Sequence, residues 1–144
     1  MAGSKLSFAV SALVEIYRAG NGGPVTTKDI SKASGLSRRY LEQVLGLLTK
    51  SGIVRSVRGK HGGYEPVMPA EKLHLADIWK AVREDMTISP NTTASESSGS
   101  QASGSRAFAT LCDDLHGLVV EYMENQTFKT IALLDLEPGD MYFV

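Results

Sequence analysis

The sequence predicts a mostly α-helical protein with a small β wing: a winged helix-turn-helix followed by a long C-terminal dimerisation helix. The first half holds short amphipathic helical stretches separated by turn residues, and a basic, glycine-rich hairpin follows the third of them. A second apolar repeat at helical spacing lies near the C-terminus. With 144 residues, 42% of them hydrophobic, the chain suits one compact domain and an added element.

Two short helices are predicted first. Apolar residues at helical spacing mark a helix from Leu6 to Tyr17, and the glycine-rich run from Gly20 to Pro24 ends it. Thr26 or Thr27 can cap a second helix through about Ala33, because a threonine hydroxyl accepts hydrogen bonds from free N–H groups at a helix start. A short turn then leads to a third helix, which is the order of a helix-turn-helix.

The most informative segment is Ser37–Tyr64, which is typical of a helix joined directly to a hairpin. Ser37 can cap a helix that runs to about Ser51, with apolar residues every three or four positions and Gly52 at its end. The hairpin is predicted over residues 53–68, with three glycines around its turn and a proline that shortens its second strand. This hairpin is the predicted wing.

Positive charge is concentrated in this segment, although the whole chain carries a net charge of −1. Residues 37–64 hold six Lys and Arg residues against one acid, whereas residues 107–144 hold one Lys against seven acids. Phosphate responds to local potential rather than to net charge. The helix and the wing are therefore predicted to bind double-stranded DNA.

Several side chains in the segment are candidates for DNA contact. Arg39 and Gln43 can form paired hydrogen bonds with guanine and adenine, and Glu42 can accept from the cytosine amine. Arg38 suits a phosphate, and Arg58 at the wing tip suits a narrow minor groove. Two more wing residues can assist: Lys60 and His61. The alternatives are a solvated helix face and a hairpin whose glycines serve only the turn.

A fourth helix is predicted from Leu75 to Val82, and it completes a winged helix-turn-helix domain over residues 1–86. Residues 87–105, TISPNTTASESSGSQASGS, are rich in small polar residues and are predicted to form a flexible linker.

A long amphipathic helix is predicted within residues 106–134. Five large side chains step by three and four positions, as in a heptad seam: Phe108, Leu111, Leu115, Leu118 and Tyr122. Cys112, Val119 and Met123 widen this seam. The helix packs either on its own domain or on a second copy, and dimerisation is preferred because a linker detaches the helix. A short helix is predicted over 127–134, and the apolar tail at 135–144 has no assigned role.

The sequence shows no catalytic set and no metal site. Its three histidines lack ligand spacing, and an enzyme is the least favoured class. Cys112 is the only cysteine, so an internal disulfide is excluded, and burial in the helix is the favoured interpretation. A thiol sensor is the alternative, although two acids follow Cys112 and no Lys or Arg adjoins it. The chain shows no secretory signal and no membrane-spanning run, so a cytoplasmic location without membrane contact is expected.

Two motifs carry a family resemblance: YLEQ at residues 40–43 and VRG-x-x-GGY at residues 57–64. With KLSFAVSALVEI before them and LADIWKAVRE after them, they resemble the Rrf-two family of bacterial winged-helix transcription regulators. The resemblance covers residues 5 to about 85 and is weaker over 106–134. It implies a homodimer that binds an inverted-repeat operator, usually as a repressor.

The resemblance also implies roles for individual residues. It matches the family's DNA-reading helix to five positions: Ser37, Arg39, Tyr40, Glu42 and Gln43. It matches Arg58 to the wing arginine that enters the minor groove. Cluster-binding members carry three cysteines before the dimer helix, whereas residues 87–105 have none and Cys112 lies further on. The expectation is a regulator without a conventional iron–sulfur cluster or other cofactor, which responds to an unidentified small molecule or protein. The alternatives are a protein-interaction adaptor and a redox regulator that uses Cys112.

Overall fold

The computed structural model describes residues 5–82 and 103–134. The elements in chain order are α1 (Lys5–Ala19), a 3₁₀ turn (Gly20–Gly22), α2 (Thr27–Ser34), α3 (Arg38–Lys50), β1 (Val54–Val57), β2 (Gly63–Pro66), α4 (Leu75–Val82), α5 (Ser103–Asn125) and α6 (Phe128–Leu134). The described residues are thus mostly helical, with one two-stranded antiparallel sheet. The predicted fold class is confirmed.

Local side-chain hydrogen bonds set the limits of the helix-turn-helix. The Thr26 hydroxyl accepts from the Asp29 N–H at 3.1 Å and caps α2. Gly35 ends α2 with a left-handed backbone (φ 71°), a conformation that costs glycine little. The Ser37 hydroxyl then accepts from the Tyr40 N–H at 3.4 Å and caps α3. The predicted cap of α3 is therefore confirmed, and of the two threonines predicted for α2 it is Thr26 that caps the helix.

The hydrophobic core lies where α1, α3 and α4 meet. The apolar face of α3 is fully covered, as its three-and-four spacing predicted: Leu41, Val44, Leu45 and Leu48. From α1 the core receives Ala9, Leu13 and Ile16, and from α4 it receives Ile78, Ala81 and Val82. This packing fixes α3 with its polar face turned outward.

The wing is tied to the segment that precedes α2. β1 and β2 pair in register from Val54 with Pro66 to Val57 with Gly63. Tyr64 in β2 also pairs with Val25, because each N–H donates to the other's carbonyl, at 2.9 and 2.8 Å. The short second strand agrees with the sequence prediction, whereas the pairing with Val25 was not predicted.

Helix α5 begins at Ser103, three residues before the predicted start of the helical region at 106. The rest of the predicted linker lies outside the described residues, as does the predicted tail at 135–144. α5 packs against α4, and the rings of Trp79 and His116 meet edge-on at 6.1 Å. The expectation that a linker detaches this helix is therefore wrong.

The C-terminal helix α6 is anchored on the winged helix by Phe128. The Phe128 side chain is completely buried, and its ring lies 5.0 Å from that of Tyr17 in α1. Its N–H donates to the Leu73 carbonyl at 2.6 Å, and the Lys129 N–H donates to the Ala70 carbonyl at 3.2 Å. An exposed ion pair between Lys129 and Glu71, at 3.1 Å, completes the contact.

Tyr17 links this anchor to the loop after the wing. Its hydroxyl donates to the Met68 carbonyl at 2.8 Å. Burial and, to a smaller extent, the nearby negative charge of Glu71 together raise the pKa of Tyr17 to about 12. Tyr17 therefore stays neutral and remains a hydrogen-bond donor across the ordinary pH range.

We expect Phe128→Ala to lower the free energy of unfolding by about 3–5 kcal/mol, because it leaves a cavity beside Tyr17. Urea denaturation followed by circular dichroism measures this change. Leu133→Ala on the exposed side of α6 is the control and should cost far less. Equal losses for the two variants would show that α6 is not anchored through Phe128.

Candidate nucleic-acid interface

The outer face of α3 presents the side chains that the sequence assigned to DNA contact. All six are exposed: Ser37, Arg38, Arg39, Tyr40, Glu42 and Gln43. Positions 39 and 43 are one helical turn apart, so Arg39 and Gln43 point to the same side. Because the opposite face of α3 is buried in the core, this polar face points to solvent. It is therefore accessible to a macromolecular partner.

Two of these residues also have structural roles. The Ser37 hydroxyl oxygen is occupied as the cap of α3. Its hydroxyl proton can still be donated to a phosphate. The Tyr40 ring lies 5.6 Å from Phe8 of α1 and keeps 54% of its surface exposed. Tyr40 therefore contributes to packing as well as to the outer face.

The wing places a second exposed basic group beside α3. Arg58 follows β1 directly, and the turn carries Lys60 and His61, all three exposed. β1 contacts α3, so the wing is joined to the helix that carries the other candidate side chains. We call α3's outer face together with the 58–61 turn the helix–wing surface.

The cations of the helix–wing surface are available for a partner. Within residues 5–82 and 103–134, four of them make no salt bridge: Arg38, Arg39, Arg58 and Lys60. Arg55, in contrast, pairs across the sheet with Glu65. Unpaired cations on one face create the local positive potential that attracts phosphate.

Two glycines allow close backbone contacts in the wing, Gly62 within the wing itself and Gly63 with the segment before α2. A Cβ on Gly62 would collide with the Val57 carbonyl oxygen, and one on Gly63 would collide with the Val25 carbonyl oxygen. Gly63 also has a positive φ of 154°. Gly63 therefore does more than form a turn, because it makes room for the pairing with Val25, whereas Gly62 serves the turn.

Helix α5 has two different faces. The five predicted seam residues are between 49% and 63% exposed: Phe108, Leu111, Leu115, Leu118 and Tyr122. Cys112 and Met123, which were expected to widen this seam, are buried beside the exposed strip, and Val119 is half-buried. The burial of Cys112 confirms the favoured sequence interpretation of this residue.

The described part of the chain holds no metal-binding group. Within residues 5–82 and 103–134, no three His, Cys, Asp or Glu side chains gather as a metal ion requires. Iron–sulfur clusters are usually held by several thiolates. The single thiol, Cys112, is only 4% exposed, so the donor set does not fit a cluster. Among the described helices, none is long and apolar enough to cross a membrane.

The sequence profile of the Rrf2 family, described as iron-dependent transcriptional regulators, matches residues 2–133. This chain belongs to the Rrf2 family. It is the family that the motifs at 40–43 and 57–64 resembled, and its members named below are transcription regulators rather than enzymes. The chain is accordingly a DNA-binding transcription regulator.

Individual Rrf2 relatives agree with this assignment. The HTH-type transcriptional regulator IscR of Vibrio cholerae is 34% identical over 131 residues, which are 90% of this chain and 73% of IscR. An HTH-type regulator of Haemophilus influenzae is 41% identical over 85 residues, 59% of this chain and 57% of the relative. The crystal structure of Staphylococcus aureus CymR superposes with a TM-score of 0.69 at 28% identity, covering 90% of this chain and 96% of CymR.

We expect Gly63→Ala to destabilise the protein by about 1–3 kcal/mol, because the added methyl group collides with Val25 and the backbone is strained. Chemical denaturation measures the loss, and amide exchange at Tyr64 should accelerate. Gly46→Ala is the control, since its Cβ meets nothing within 4 Å in an exposed part of α3. That control should gain about 1 kcal/mol. A Gly63→Ala variant as stable as the parent contradicts the close approach.

Proposed function

We propose that this protein is a homodimeric repressor that recognises an inverted-repeat DNA operator through α3 and the wing. The observation that carries the proposal is the exposed, unpaired set of cations on the helix–wing surface. Phosphate contacts from such cations supply affinity, and base contacts from the helix supply specificity. Repression is the mode of action that the family resemblance implies.

The proposed roles follow from side-chain chemistry and position. Arg39 and Gln43 share one side of α3, and both form paired hydrogen bonds with purine edges in a major groove. Glu42 is exposed beside them and accepts from a cytosine amine. Arg38 contacts phosphate at the start of the helix, and Arg58 enters the adjacent minor groove. Lys60 and His61 add positive charge at the same place.

Gly46 supports the orientation of α3 on DNA. It lies on the exposed face, one turn beyond Glu42 and Gln43, and nothing lies within 4 Å of its hypothetical Cβ. Packing inside the protein therefore does not require glycine at this position. Glycine destabilises a helix relative to alanine, and no contact within the described residues compensates for that loss. A close approach of DNA to this part of α3 accounts for the residue.

Dimerisation is proposed through the exposed face of α5. Its five large apolar residues form a contiguous strip on one side of a 23-residue helix. A strip of this kind usually marks an interaction site in a water-exposed protein. Because α5 also packs on α4 and α6 is anchored by Phe128, a second copy bound here would hold two helix–wing surfaces in a defined relation.

We also propose that the protein works without an iron–sulfur cluster. The chain has one thiol, and a dimer would have two, fewer than four-thiolate ligation needs. The signal is then a small molecule, a protein or the Cys112 thiol. The burial of Cys112 disfavours the thiol, since oxidants reach exposed thiolates most readily.

The DNA assignment is tested with sites selected from random duplex DNA. Gln43→Ala should cost about 1–3 kcal/mol at one base pair and relax the preference there. Arg58→Ala should weaken binding most where the sequence under the wing is rich in A·T pairs. Lys72→Ala removes an exposed cation outside the helix–wing surface and is the control. Binding that is weak and insensitive to salt and to both substitutions would favour a protein-interaction adaptor.

The dimer assignment is tested with Leu115→Asp, which places a charge in the α5 strip. An unpaired charge buried in an interface costs several kcal/mol, so the variant should sediment as a monomer and lose operator affinity. Thr110→Asp adds the same charge at another exposed position of α5 and should leave the dimer intact. A parent protein that is monomeric at micromolar concentration while binding its operator tightly would contradict the proposal.

The absence of a cluster is tested by anaerobic reconstitution with iron and sulfide. We expect a colourless protein with less than about one cluster per dimer, because the thiolates are too few. Stoichiometric iron and sulfide with a visible charge-transfer spectrum would overturn this expectation. Cys112→Ser tests whether the thiol is the signal. If oxidation releases DNA from the parent protein but not from the variant, Cys112 is the switch. If oxidation changes neither, the signal is a small molecule or a protein.

A further inference from the structure

A groove of about 450 Å³ lies between α1, α2 and α6, and the proposed DNA and dimer contacts do not use it. Its apolar lining comes from Val10 and Val14 of α1 and from Ile131 and Leu134 of α6. The lining also includes polar and charged groups, from Ser11, Glu15 and Arg18 of α1 and from Ser34 of α2. Apolar surface in a groove of this size favours an apolar occupant, because burial removes it from water.

The chain itself leads into this groove. Leu134 is the last residue of α6, it lines the groove, and 83% of its surface is still exposed. The next ten residues, 135–144, have the sequence DLEPGDMYFV and lie outside the described residues. The residues that follow Leu134 therefore leave α6 next to the apolar part of the groove.

The sequence after Leu134 favours a return to the groove. Pro138 and Gly139 occupy the central positions of a four-residue stretch, Glu-Pro-Gly-Asp, that is typical of a type II turn. Two residues, 135 and 136, lie between Leu134 and this stretch, and three large apolar residues follow it, at 141–143. A chain reversal at 137–140 would direct residues 141–143 back toward Leu134.

We propose that residues 141–143 of the same chain, Met-Tyr-Phe, dock in the groove between α1, α2 and α6. Docking covers the exposed side of Leu134 and adds a contact between the C-terminal segment and α1. It also ties α6 to α2, the helix that precedes the recognition helix. The C-terminal segment then helps to hold α5 and the helix–wing surface in a fixed relation.

Disulfide trapping tests the proposal in the full-length chain. In a Cys112→Ser background, Ser11→Cys is combined in turn with Met141→Cys, Tyr142→Cys and Phe143→Cys. A disulfide forms only when the two Cα atoms come within about 7 Å. At least one pair should therefore close within a single chain, about tenfold faster than the same partner combined with Lys28→Cys on the exposed surface of α2.

The products distinguish the occupants. A monomeric cross-linked band on a non-reducing gel supports docking within one chain. A covalent dimer would show that a second copy's segment fills the groove and would overturn the proposal. Disulfide formation no faster than in the Lys28→Cys control would overturn the proposal as well.

A second measurement does not depend on cysteines. Phe143→Ser should lower the Tm by roughly 2–6 °C, since it removes apolar burial in the groove. Ser11→Trp fills the groove from the α1 side, and Phe143→Ser should change the Tm little in that background. An unchanged Tm for Phe143→Ser in the otherwise unaltered chain would contradict the proposal.

Discussion

The burial of Phe128 against Tyr17 is the contact on which the arrangement of the two halves of the chain depends. It places a completely buried aromatic ring from the C-terminal helix inside the winged-helix core. The backbone of Phe128 is fixed as well, by its hydrogen bond to Leu73. Since α5 leads directly into this anchor, its exposed strip is held at a set position relative to α3. Operator spacing in a dimer requires such a fixed relation.

The position of the wing also depends on a small number of contacts. A single pair of hydrogen bonds between Val25 and Tyr64 joins it to the segment before α2, and Gly63 supplies the room for that approach. The basic wing turn therefore belongs to the same rigid unit as α3. A rigid unit loses less conformational entropy on binding DNA than a mobile hairpin would. The local charge of this unit, rather than the net charge of −1, determines its attraction to phosphate.

Helix α5 combines an intramolecular and a proposed intermolecular role. Cys112 and Met123 cover one face, while the strip from Phe108 to Tyr122 remains exposed on another. The two interpretations that the sequence left open are therefore compatible, because the helix packs on its own domain and still presents an apolar surface. The same geometry withdraws the one thiol from solvent. The family is described as iron-dependent, whereas the single thiol of this chain does not fit an iron–sulfur cluster.

The sequence by itself determined the helices, their caps and the polar face of α3, because these depend on residues within one or two turns of each other. Ser37 caps α3 and Leu41 to Leu48 cover the core as predicted. Only the tertiary structure decided the pairing of Val25 with Tyr64 and the burial of Phe128. Each depends on a partner that is distant in sequence. Tyr17 shows the same dependence, because its hydroxyl donates to the Met68 carbonyl, 51 residues away. Hydrophobic spacing identifies a face that will be buried, but the element that buries it is selected by packing across the whole fold.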